Sequence, residues 1–153
     1  MSVKELFLVV PSFKFRPEST HCTFCGKKLM VYSTRPDKRV ITLHVGEFIA
    51  HHTLLSCDCQ SKPVIFHCEK LHSLVPKYSN FGYDVIEFIG RAVFQRFKTE
   101  NEVVEELADL NISISSSEVG YLAKKFIVYL SVLHKNSSGK IKESMQKKAI
   151  NTN

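Results

Sequence analysis

Two periods of apolar spacing divide the chain. Up to Pro76 apolar residues come in short runs or alternate with polar ones. Ile41, Leu43 and Val45 interleave with Thr42 and His44, the signature of a half-buried strand. Residues 4–15, KELFLVVPSFKF, form an apolar stretch cut by Pro11 and predict an extended edge segment. Further strands are expected over Leu29–Ser33 and Arg39–Val45. Arg35-Pro36-Asp37-Lys38 between them is turn chemistry, so these two are expected to form a hairpin. Leu54–Ser56 and Val64–Phe66 complete the β-rich half.

Past Pro76 the apolar period lengthens to about 3.6 residues. Val85, Ile86, Ile89, Val93 and Phe97 predict a first helix over Tyr83–Phe97. Thr99-x-x-Glu102 is a capping box, in which hydroxyl and carboxylate satisfy the free amides of a helix start. Val103, Val104, Leu107 and Leu110 follow it as the stripe of a short second helix. Ser115-x-x-Glu118 opens a third helix, striped by Val119, Leu122, Phe126, Tyr129, Leu130 and Leu133. Asn136-Ser137-Ser138-Gly139 is expected to end it.

The expected fold class is therefore α+β. A small β-rich, zinc-ribbon-like module (1–78) precedes a three-helix helix-turn-helix module (79–135) and a basic helical tail (136–153). Charge sharpens this division. The chain of 153 residues carries a net +6, placed as +5 over residues 1–82, −4 over 83–109 and +5 over 110–153. Basic segments condense onto nucleic acid by releasing phosphate counterions. Met1–Val10 lacks the pattern of a secretory signal, and no apolar run approaches the roughly 20 residues that span a bilayer, so a cytoplasmic protein without membrane contact is expected.

In a reducing compartment the five cysteines are better explained as metal ligands than as disulfides. Cys22-Thr-Phe-Cys25-Gly26 is a loop that zinc favours: two thiolates three apart reach one ion, and the glycine lets backbone amides turn toward the sulfurs. Cys57-Asp58-Cys59 supplies a second pair with one intervening residue. The preferred ligand set for a structural zinc is Cys22, Cys25, Cys57 and Cys59. The rival sets replace one of the last two with Cys68, His52 or His67, and reduced buried cysteines without metal are the plain alternative. Cys68 beside His67 does not suggest a nucleophile, because adjacent strand residues point to opposite faces. A closed thiolate set gives zinc a folding role.

The second and third helices match a helix-turn-helix, whose last helix presents its N-terminal residues to base edges in the major groove. With the apolar stripe inward, Ser116, Ser117, Gly120, Tyr121, Lys124 and Lys125 face outward, and serine hydroxyls and lysine ammoniums suit phosphates and base edges. A three-helix bundle with a merely solvated polar face is the competing reading.

Cys22-Thr-Phe-Cys25-Gly26, Val45-Gly-Glu-Phe-Ile-Ala-His51, Leu54-Leu-Ser-Cys57, Leu74-Val-Pro76, Gly82-Tyr-Asp-Val85 and Glu118-Val-Gly-Tyr-Leu-Ala-Lys-Lys-Phe126, in that order, resemble the N-terminal region of a group of prokaryotic insertion-sequence transposases. The one-residue gap between Cys57 and Cys59 departs from that pattern. The resemblance implies a truncated or split transposase that recognises transposon terminal repeats in double-stranded DNA without cleaving them, as a monomer or a homodimer. The later ribonuclease-H-like catalytic domain would be missing. A zinc-dependent transcription regulator is the alternative. No enzyme is expected, since the sequence has no nucleophile elbow and no phosphate-cradling glycine loop.

Overall fold

The structure, a computed structural model, describes residues 9–150. Residues 4–8 of the expected extended segment and the end of the tail at 151–153 lie outside the described residues. The fold is α+β, with a five-stranded mixed sheet and four helices among the described residues. It divides into two compact units, Met1–Val85 and Ile86–Asn153.

In the first unit one long strand organises everything else. Strand β4 (Glu47–Cys57) pairs with all four others: β1 (Ser12–Phe15), β2 (Met30–Thr34), β3 (Lys38–Ile41) and β5 (Val64–Phe66). β1 runs parallel to it, pairing Ser12 with Ile49 and Phe15 with His52. β2 and β3 are both antiparallel to β4, with Met30 opposite Ser56, Thr34 opposite Thr53, and Lys38 opposite Ala50. They therefore follow one another along β4 rather than pairing together as the expected hairpin.

The turn falls later than expected, at residues 42–46. Thr42 Oγ1 donates to the Gly46 carbonyl and accepts the Val45 amide, while Gly46 takes φ 84°, a left-handed conformation that suits glycine. One oxygen of Asp84 accepts the amides of both Leu43 and His44 at 3.0 Å. Ile41, Leu43 and Val45 alternate in sequence, but only Ile41 lies in a strand, and Val45 is exposed in the turn.

Alternation along β4 gives it two working faces. Phe48 and Ala50 are buried with Val40, Cys68, Leu71 and Val75, against Phe15 and Leu74. Cys68, Leu71 and Val75 flank or belong to α1 (Glu69–Leu74), a short helix that the apolar pattern did not predict. Leu55 and Cys57, on the odd-numbered face, pack with Cys22, Leu29 and Phe66.

Helix α1 starts at Cys68, whose own side chain makes no cap. The cap comes from Glu18, which accepts the amides of Glu69 and Lys70 and the Cys68 thiol at 3.0–3.3 Å. The Lys70 amide above all, then that of Glu69, lowers the Glu18 carboxyl from its ordinary 4.5 to about 2. A depressed folded-state value means that the unfolded chain binds the extra proton, so this stabilisation is present above pH 4.5 and fades as pH falls toward 2. The difference in melting temperature between the wild type and Glu18→Gln is accordingly expected to be largest near neutrality and to shrink through that window. A difference independent of pH would show that the charge is not what caps the helix.

The second unit contains α3 (Glu100–Asp109), α4 (Ser116–Ile150) and most of α2 (Tyr83–Phe94). Ile86, Ile89 and Ala92 of α2 are buried, as are Val103 and Leu107 of α3 and Val119, Leu122 and Ala123 of α4. α2 ends three residues before Phe97, which stands outside the helix at φ 55° and is exposed. The capping box at α3 is complete: Thr99 Oγ1 accepts the Glu102 amide, and the Glu102 carboxylate accepts that of Thr99. Ser115 Oγ likewise accepts the Glu118 amide at the start of α4.

α4 differs most from expectation, because it runs through Asn136–Gly139 to Ile150. A glycine stops a helix by turning left-handed, and Gly139 does not. Without a proline, that weak run has nothing else to break the helix. The apolar stripe fades first: Phe126 and Tyr129 are half-buried, whereas Leu130 and Leu133 are exposed.

Candidate functional site

The first pair of cysteines sits on a tight loop between β1 and β2. The Cys22 amide bonds the Lys27 carbonyl, the Gly26 amide bonds the Cys22 carbonyl, and the Phe24 amide points at Cys22 Sγ from 3.4 Å. Gly26, at φ 74°, closes the loop as its place in the sequence predicts. The second pair is carried by the last residue of β4 and the turn after it. Although only Asp58 separates Cys57 from Cys59, both sulfurs reach the first pair.

All four sulfurs lie within 4.8 Å of one another, with Cys22 3.7 Å from Cys59 and Cys25 3.4 Å from Cys57. A tetrahedral ion with metal–sulfur bonds of about 2.3 Å holds its ligands about 3.8 Å apart, so the cluster has the size of such a site. All five cysteines are free. Burial raises the Cys22 thiol, but the Cys25 and Phe24 amides and the neighbouring thiols outweigh it and bring the group down to about 7. Burial, joined by the thiols of Cys22, Cys57 and Cys25, pushes Cys59 up to about 12. Four sulfurs held this close around one point are a donor set that a thiophilic cation satisfies.

The rival ligands are placed elsewhere. The Cys68 thiol donates to Glu18, on the other face of β4. Two further histidines near the cysteines in sequence are engaged elsewhere: His51 pairs with Asp37, and His21 Nδ1 lies 2.9 Å from Thr20 Oγ1. His52 and His67 meet a third ring, His72, and ligand nitrogens of the three lie within 4.8 Å of one another. Burial, then the neighbouring His72, holds both His52 and His67 below the ordinary histidine value. Nothing in the sequence singles out His72, because residues 52, 67 and 72 match no ligand spacing and meet only through the packing of α1 on β4.

In the second unit Ser117, Tyr121 and Lys124 are exposed on α4, and Ser116 and Lys125 are half-buried. Lys125 Nζ lies 5.4 Å from the centre of the Tyr121 ring. Gly120 is half-buried, and a Cβ there would lie 2.5 Å from Glu100 Oε1, so the close approach that this glycine permits is to α3. Among the described residues no helix is long and apolar enough to cross a membrane. No protein-family profile matches the chain, and neither curated proteins nor solved structures provide a match to it.

Proposed function

We propose that this protein binds double-stranded DNA through the start of α4, with a four-thiolate zinc site stabilising the accompanying β module. The observation that carries the reading is the order and exposure of the second unit. α3 is followed by a six-residue turn and by a serine-capped helix whose first turns bury Val119, Leu122 and Ala123 and expose Ser117, Tyr121 and Lys124. A recognition helix needs that arrangement: an apolar side anchored on the preceding helix and a polar side free for the groove. Lys124 and Lys125 supply charge for phosphates, and Ser117 and Tyr121 supply hydroxyls. Gly120 serves α3–α4 packing in this picture. The resemblance to transposase N-terminal regions makes transposon terminal repeats the expected target.

The expected result of replacing Lys124 and Lys125 with alanine is weaker DNA binding and a salt dependence shallower by about two in log–log slope, one for each phosphate no longer neutralised. Unchanged affinity would favour a solvated helical bundle. Selection from genomic DNA should enrich inverted terminal repeats. Enrichment of a promoter sequence instead would favour a transcription regulator.

A further inference from the structure

His52 follows Phe48 and Ala50 on the even-numbered face of β4, the face covered by Leu71 and Val75. Packing of α1 there brings His72 over the strand, and His67, after β5, reaches the same point. The three ring centres are 5.3, 5.8 and 6.2 Å apart. Nitrogens on a tetrahedral ion with bonds of about 2.1 Å lie about 3.4 Å apart, so side-chain adjustments of about an ångström close the present spacing around one cation.

Hydrogen bonding points the same way. His72 Nε2 is buried and has no hydrogen-bond partner among the described residues, an uncommon state for a buried polar atom. Together the rings form part of the wall of a cavity of about 250 Å³. Its charged lining is basic (Arg35, Lys38 and Lys77), and among the described residues no carboxylate lines it to pair with an imidazolium. Imidazoles whose ring nitrogens come together at a cavity, one of them without a partner, are ligands.

We propose that His52, His67 and His72 form a second metal site, distinct in chemistry from the cysteine cluster: a three-imidazole site for a zinc-class divalent ion, its fourth position open to the cavity. Arg35, Lys38 and Lys77 favour an anion over water at that position. Nε2 of His52 accepts the Cys68 amide at 3.2 Å. Binding a cation through Nε2 of His52 deprives that amide of its acceptor, so this site binds more weakly than four thiolates and fills second. Metal binding here is independent of DNA binding by α4.

Cobalt titration of the full chain under reducing conditions separates the two sites. The first equivalent should give the intense near-ultraviolet charge transfer of cobalt thiolate. A second should add only the weak visible bands of nitrogen and oxygen ligands, and azide should shift these. His72→Gln should keep the first equivalent and weaken the second by about a hundredfold, because loss of even an outer-shell partner costs ten- to a hundredfold. Wild-type protein saturating at one equivalent of thiolate character, a second equivalent with thiolate character, or undiminished second binding in His72→Gln would overturn the site, whereas a single equivalent with nitrogen and oxygen bands alone would overturn the cysteine site instead. Bands indifferent to azide would overturn its open position. If the variant fails to fold, wild-type stoichiometry and spectra still decide.

Discussion

If the cysteine cluster holds zinc as proposed, replacing Cys25 and Cys57 together with serine is expected to abolish that binding and unfold the cysteine-bearing end of the β module. The magnitudes make this the largest effect in the molecule. Apart from the cysteines, the cluster there buries only Leu29 and Leu55, against a half-buried Phe66. Two leucines contribute about 5 kcal/mol at most. Ordering the loops that carry the ligands costs about 1–2 kcal/mol per residue, so apolar burial alone does not hold them. The proposed structural zinc would contribute on the order of 10 kcal/mol and reverse that balance. Metal analysis with amide hydrogen exchange across 20–34 and 53–66 gives the test. Retained protection in zinc-free protein would show that the thiols pack without an ion.

Gly90→Ala is expected to destabilise the helical unit by about 2 kcal/mol, lowering the melting temperature of a unit of that size by roughly 8–16 °C. Alanine in a helix gains about 1 kcal/mol over glycine. Here the added Cβ would fall 2.1 Å from the Phe126 ring, far inside van der Waals contact, and overlap outweighs propensity. Phe126→Leu should recover much of the stability in the Gly90→Ala background while being destabilising on its own. Additive effects in that double-mutant cycle would mean that the two residues do not press on each other.

What the sequence disclosed were features settled within a few residues. The Thr99–Glu102 capping box, the Cys22–Gly26 loop and the buried faces of α2 and α3 depend on neighbours at fixed short spacing and form as that spacing predicts, except that the last residue of each expected stripe, Phe97 and Leu110, lies beyond its helix and is exposed. Features settled by distant partners were illegible. The turn at Thr42–Gly46 is held by Asp84, and α1 is capped by Glu18 some fifty residues earlier. The expected β2–β3 hairpin yielded to β4, which offers both strands a longer partner. The four cysteines converge as the preferred ligand set requires, even though the second pair is irregularly spaced. His72 had no local signal at all.

The two faces of β4 bear on which genetic changes this protein can absorb. Within five residues the strand sends His52 to one face and Cys57 to the other, each beside its own cluster. Point substitutions there would damage one cluster at a time. Inserting or deleting a single codon between them would reverse every side chain beyond it. That would cost the cysteines their partners and put polar groups into the core. Length variation among natural relatives of this chain is therefore expected in the connections around β4, such as the segment after Cys59, and never within the strand.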